Sequence, residues 1–364
     1  MENHLICNKF QLMSTIFKPK QNPNIKLSCN LPDSRSFLYA DEYFYGLAGV
    51  TQRLFNMGDR INRIPHGLEQ FVSFCSRKPN LPKVLAICDS WGHYPGLGGD
   101  GDWLQGGDGN LLDNMRDRQT LAIYRVGLNG AEAKDLFQEK HTAFFERILD
   151  QGDFDLVFIS LGGNDLASEN VPKYLGTKGI EQDKLNALCD EIFTQFSWFL
   201  KLLSKYGIPA LGHSYDDATW CDGGTNMEIG FGGIDLSQLH ISKNWIVRYL
   251  AEKGIIKKKE QARIVREVLQ SLKTRVFDKL INTEEFKFSY VDTYDCLANY
   301  AEGKLPFIPG IPLKEKDKTP RRFWLNEIHP TRDGFRILEN YIYEAIAEIL
   351  NLPNIGSIIE GTTK

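Results

Sequence analysis

Lys83-Val84-Leu85-Ala86-Ile87-Cys88-Asp89-Ser90-Trp91-Gly92 is a short apolar run that ends in a small polar break. Such a run, bounded by polar residues and too short for a helix, reads as a buried strand. Four further runs repeat the pattern, at 121–126, 156–160, 208–213 and 288–291, each bounded by Gly, Pro or Asp. Helical stretches fall between them near 131–149, 184–206 and 244–281. A last one covers 333–350, with Phe335, Leu338, Ile342, Ile346 and Ile349 at helical spacing. Strands alternating with helices predict a parallel sheet covered by helices on both faces. Ligands bind beyond the carboxyl ends of the strands in such sheets. Ser90, the turn after Val126 and Asn164 all fall at such ends.

The rest of the chain divides around this core. Residues 1–80 read as an extension packed on the main domain. They begin as an irregular arm with Pro19, Pro23 and Pro32, and become mostly helical from about 36, with Phe37, Tyr43, Phe44, Leu68, Phe71 and Phe74 as apolar positions. The main domain spans 81–352, and 353–364 form a tail. Two Gly-rich insertions, 96–110 and 216–235, follow strands on the active edge, where long loops commonly wall a pocket. Their Trp103, Trp220 and Phe231 suit an apolar acyl site.

Composition narrows the class. The chain of 364 residues carries a formal net charge of −4, which argues against nucleic acid as partner. Its short basic runs, Lys257-Lys258-Lys259 and Arg321-Arg322, read as solvated faces. The seven cysteines contain no CxxC pair, which argues against a zinc site or a disulfide framework. Reduced thiols, no signal peptide and no transmembrane run fit a cytoplasmic protein. Asp100, Asp102, Asp108 and Asp113 lack the ligand ladder and terminal Glu of an EF-hand loop. No Gly-x-Gly-x-x-Gly turn follows the first strand, which argues against a nucleotide binder.

Four elements can carry acyl-transfer chemistry, and each also has a plain structural use. Ser90 is a nucleophile or a helix cap. Gly130, in Gly127-Leu128-Asn129-Gly130, offers a backbone amide to a developing negative charge or makes a tight turn. Asn164, after Leu161-Gly162-Gly163, donates to the same charge or forms an Asx turn. His329, in Asn326-Glu327-Ile328-His329-Pro330, takes the Ser90 proton or sits on the surface. Asp216 and Trp220, after the fourth strand, border the same edge and are candidates for substrate binding; His213 reads as packing.

In motif order the chain resembles the SGNH (GDSL-like) hydrolase superfamily over about residues 83–350. The matching segments are Cys88-Asp89-Ser90, Gly130, Gly163-Asn164-Asp165 and Asn326-x-x-His329-Pro330. The resemblance implies a flavodoxin-like three-layer α/β/α sandwich with a five-stranded parallel sheet. It implies Ser90 as nucleophile and His329 as base. The Ser90 amide, the Gly130 amide and the Asn164 side chain become oxyanion donors. It implies an esterase or lipase-like activity on small ester or acylated substrates, with no metal or organic cofactor.

Two departures stand out. Cys88 replaces the usual Gly before the Asp-Ser pair, as a small buried residue or, at the margin, a rival nucleophile. Asn326 replaces the Asp that normally orients the base. In serine proteases that exchange costs roughly 10⁴ in turnover, about 5 kcal/mol. Three readings of Asn326 stay open: an inactivated variant, a Ser-His pair oriented by another group, or a ligand-binding protein on a hydrolase scaffold. Asp292, at the end of the fifth strand, is a further acid that can approach the site.

Overall fold

In the computed structural model the described residues are 65–93, 110–127, 130–217, 230–231, 234–235, 246–311, 323–324 and 328–352. The elements that position the site are, in chain order, α1 (Pro65–Arg77), β1 (Lys83–Cys88), α2 (Ser90–His93), α3 (Leu111–Asp117), β2 (Ala122–Gly127), α4 (Ala133–Leu136), α5 (Thr142–Gly152), β3 (Leu156–Ser160), α6 (Gly163–Leu166), α7 (Gln182–Ser204), β4 (Ala210–His213), α8 (Lys258–Leu272), β5 (Phe288–Val291), α9 (Cys296–Ala301) and α10 (Arg332–Ile349).

The five strands form one parallel sheet in the order β2-β1-β3-β4-β5. All five lie within two residues of the runs predicted from sequence. Residues of β1 and β3 are buried along almost their whole length, because helices cover both faces and leave no polar side. The order reverses between β1 and β3, which opens the crevice where doubly wound sheets bind ligands.

Helices α3, α9 and α10 pack on one another in one layer, and α4, α7 and α8 in the other. Phe335, Ile337, Leu338, Ile342 and Ile346 of α10 are all fully buried, each contributing about 1.5–3 kcal/mol by transfer from water. Arg118 clamps the same helix with a fork to Glu339, Nε to Oε1 at 2.7 Å and a terminal nitrogen to Oε2 at 2.9 Å. Of the expected extension, the described helix α1 lies on β2 and α5. There Phe71 packs against Tyr124 and Phe154 at ring distances of 5.5 and 5.4 Å.

Two helical expectations break up in the fold. The stretch 131–149 is α4, then a 3₁₀ turn at Glu139–His141, then α5. The break falls at Phe137, whose ring stacks flat on Phe199 at 4.4 Å, so packing overrides local propensity. The stretch 244–281 is split by Gly254, which takes a left-handed conformation (φ 79°) after the short helix Val247–Glu252. Past α8, a π turn at Lys273–Phe277 absorbs one extra residue while Val276 and Phe277 stay buried.

Candidate active site

Ser90 occupies the first turn after β1. Asp89 fixes that turn from both sides: its amide donates to Ser160 O at 2.8 Å, and its Oδ1 accepts the Trp91 amide at 2.9 Å. The strand end beneath is tightly filled. A Cβ at Gly127 would lie 2.2 Å from Cys88 O, and one at Gly92 would lie 2.6 Å from Cys88 Sγ. The larger Cys88 is thus accommodated by glycines on both neighbours. Cys88 has 0% exposure and burial pushes its thiol well above the usual range, which leaves it no nucleophilic character.

His329 arrives from the far end of the chain. Trp324 and Pro330 form an antiparallel bridge, and the Thr331 amide donates to Phe323 O at 2.8 Å. Thr331 then caps α10, its Oγ1 accepting the Gly334 amide at 3.3 Å. A side chain at position 334 would meet Phe323 O at 2.3 Å, so this approach requires glycine. Between these anchors the His329 ring is delivered to Ser90. Nε2 lies 2.9 Å from Ser90 Oγ although 239 positions separate the two residues. Exposure is 6% for Ser90 and 2% for His329. Burial holds the imidazole down to about 3, so at neutral pH it is uncharged and able to accept a proton.

The loops after β2 and β3 meet the same turn. Gly130 sits in left-handed backbone (φ 76°), and Asn164 stands in the first turn of α6. The Asn164 amide nitrogen donates to Ala131 O at 3.1 Å and reaches Asp89 Oδ2 at 3.5 Å. Its two protons are therefore shared between a firm bond and a long one, and the long one is the bond a stronger acceptor would displace. Burial pushes Asp89 up to about 7, against the hydrogen bonds that favour its charged form. Neighbouring Asp165 accepts the Ala133 amide at 2.8 Å and is pushed by burial to about 8.

Asp216 lies where its carboxylate is already engaged. One oxygen accepts the Asp217 amide at 2.7 Å, the other the Leu297 amide of α9 at 2.8 Å. Trp220 and Asn326 fall outside the described residues, as do Trp103, Asp100, Asp102 and Asp108. Asp292 accepts the Ser214 hydroxyl at 2.9 Å and lies 3.4 Å from Lys273 Nζ. No group of three His, Cys, Asp or Glu among the described residues is arranged to hold a metal ion.

A second Ser-His pair escaped the sequence reading. His213 Nε2 lies 2.8 Å from Ser160 Oγ, and its Nδ1 lies 2.7 Å from Ser214 O. A carbonyl only accepts, so Nδ1 carries the proton. Burial holds His213 down to about 4, so Nε2 is bare and accepts the hydrogen bond that the Ser160 hydroxyl donates. Ser160 has no exposed surface and cannot meet a substrate. The pair is an internal brace between β3 and β4. Trp91 stacks on the His213 ring at 5.5 Å between centroids and meets Tyr215 edge-on at 4.8 Å. The signal available in the sequence was position alone: His213 and Tyr215 flank a strand's carboxyl end.

The described residues form a doubly wound α/β fold, a five-stranded parallel sheet with helices on both faces and with Ser90, Gly130 and Asn164 beyond its carboxyl edge. No family model matches the chain, and no curated protein matches it. Among solved structures it is similar to a GDSL-like lipase from Bacteroides thetaiotaomicron, at 13% identity over 77% of this chain and 98% of the other, TM-score 0.36. It is similar to an acetyl xylan esterase variant from Geobacillus stearothermophilus, at 18% identity over 73% and 94%, TM-score 0.32. It is likewise similar to a family 3 carbohydrate esterase from Clostridium thermocellum, at 14% identity over 74% and 98%, TM-score 0.31.

Proposed function

We propose that the chain is a serine ester hydrolase, carboxylesterase or lipase-like, acting on small ester or acylated molecules rather than nucleic acid. The observation that carries this is the 2.9 Å contact between Ser90 Oγ and a buried, neutral His329 at the carboxyl edge of the sheet. In the reaction, Ser90 Oγ attacks the ester carbonyl while its proton passes to His329 Nε2. The carbonyl oxygen gains the negative charge and is held by the Ser90 and Gly130 amides and the Asn164 amide, which gives up its long contact to Asp89. The imidazolium returns the proton to the leaving alcohol. Water then attacks the acyl-Ser90 with His329 again as base, releasing the acid and restoring the serine. Burial makes the imidazolium costly, and the adjacent oxyanion offsets part of that cost.

Asn326 supplies no charge to His329, so turnover is attenuated relative to a site with Asp in that place. The same residue favours a second reading, a catalytically inactive ligand-binding protein on this scaffold. Asp216 and Trp220 remain the candidates for substrate contact beyond β4, and the two backbone bonds of Asp216 also hold the start of α9. A cytoplasmic location is supported by Cys75, Cys88, Cys189 and Cys296, all buried free thiols. No helix of the described residues is long and apolar enough to cross a membrane.

The test is hydrolysis of p-nitrophenyl acetate and butyrate, with fluorophosphonate labelling, on the chain and on Ser90→Ala. Turnover and labelling that both vanish in Ser90→Ala support the esterase. Labelling that survives Ser90→Ala removes Ser90 as nucleophile. Ester binding without turnover, unchanged by Ser90→Ala, moves the binding protein ahead.

A further inference from the structure

His329 is placed with precision, yet the residue three positions before it is neutral and burial is the cause of its lowered basicity. A further contact bears on how the ring is set against Ser90. Trp91 is the peptide neighbour of Ser90, and its indole Nε1 donates to Ile328 O at 2.8 Å. Ile328 is in turn the peptide neighbour of His329. One side chain thus joins the residue after the nucleophile to the residue before the base, across 237 positions of chain.

The indole itself is held on every side. It is 3% exposed and meets Phe335 of α10 edge-on at 5.7 Å, Trp324 at 6.5 Å, Tyr215 at 4.8 Å and His213 at 5.5 Å. Trp324 and Phe335 belong to the segments that deliver His329, while His213 and Tyr215 belong to the end of β4. A ring locked between these groups cannot swing, so its N–H direction is fixed and the carbonyl it holds is fixed with it. Trp supplies a large apolar body with a single donor and no acceptor, which suits a backbone carbonyl as its partner.

Resting on the esterase reading, we propose that Trp91 is a positioning residue whose indole N–H tethers the His329 segment to the Ser90 turn and so sets the nucleophile–base distance. A neutral donor on the backbone does this without changing the charge of the imidazole. The tether holds the segment in place and adds no charge to it.

The experiment compares the chain with Trp91→Phe and with Trp91 replaced by benzothienylalanine, which keeps the outline and stacking of indole and exchanges N–H for sulfur. Ester turnover is measured together with the imidazole nitrogen resonances of His329, identified by their loss in His329→Gln. Both replacements are expected to lower kcat roughly tenfold to a hundredfold, with KM changed by less than about twofold, because a misplacement of about 1 Å costs that much. The His329 resonances are expected to move in the benzothienylalanine protein while its melting temperature stays close to that of the parent. Unmoved resonances, or a kcat within twofold of the parent in the benzothienylalanine protein, overturn the tether even where the chain is an active esterase. Should the parent turn over no ester while the resonances still move on loss of the N–H, the esterase reading fails and the tether stands.

Discussion

The phenol of Tyr215 donates to Asp89 Oδ2 at 2.5 Å, and so binds the end of β4 to the turn that carries Ser90. Asp89 in turn holds the Trp91 amide and reaches Asn164, so one carboxylate touches three of the segments that build the site. The Tyr215 bond opposes the burial that pushes Asp89 upward. Tyr215→Phe leaves that carboxylate with one donor fewer. We expect about 1–3 kcal/mol lower stability by urea denaturation, the range for depriving a buried acceptor of its donor, and slower ester turnover.

Gly163 lies under the same ring. A Cβ there would sit 2.7 Å from the Tyr215 ring, and the ring, buried against Trp91, has nowhere to go. Gly163→Ala should therefore cost about 1–3 kcal/mol by overpacking. In a Tyr215→Ala background the same substitution should cost clearly less, a coupling that a double-mutant cycle in denaturant reads directly.

Gly130 offers a contrasting case. Its left-handed backbone (φ 76°) disfavours any side chain, yet a Cβ there meets nothing within 4 Å. Gly130→Ala should cost only the backbone strain, about 1–2 kcal/mol. Its effect on kcat should exceed its effect on stability, because the strained amide is the proposed oxyanion donor. Parallel melting and turnover measurements separate the two.

The acid limb of activity follows from His329. A base held down to about 3 stays unprotonated far below the ordinary 6.5, so kcat/KM should remain flat as pH falls from 7 and decline only near the lowered value. Asn326→Asp adds a negative charge three residues before the ring. It should raise the imidazole basicity, shift the acid limb upward and increase kcat about a hundredfold or more. An acid limb near 6.5 in the parent chain would contradict the buried, neutral base.

Stability against pH carries terms of both signs, of which Asp165 and His213 are examples. Asp165 is pushed by burial to about 8 from an ordinary 3.8, so between these values the folded state binds more protons and stability falls as pH rises. His213 is held down to about 4 from 6.5, so between these values the unfolded state binds more protons and stability rises with pH. Asp165→Asn removes the first term while retaining an oxygen to accept the Ala133 amide. Its unfolding free energy should fall less steeply from pH 4 to 8 than that of the parent, measured by denaturant titration at several pH values.

Local patterns made much of the framework legible. Residues 84–88 announced β1, and the run 156–160 matches β3 residue for residue, because a strand buried on both faces must be largely apolar. The spacing of Phe335, Leu338, Ile342 and Ile346 announced α10 for the corresponding reason: a 3.6-residue period puts them on one buried face. The same reasoning ran 131–149 together as one helix, because nothing local reveals that Phe137 leaves the helical path to stack on Phe199.

For the site, the sequence determined which residue types stand at the carboxyl ends of β1, β2 and β3 and before α10, since motif and strand end are both local properties. Only the tertiary structure decided that Ser90 and His329 meet, that Trp91 bonds to Ile328, that Tyr215 bonds to Asp89, and that Ser160 with His213 forms an enclosed brace. These bonds join positions 239, 237, 126 and 53 apart in the chain. They depend on the side-by-side order of parallel strands and on the packing of α10, which bring distant strand ends to one edge. No spacing along the chain encodes a contact of that kind.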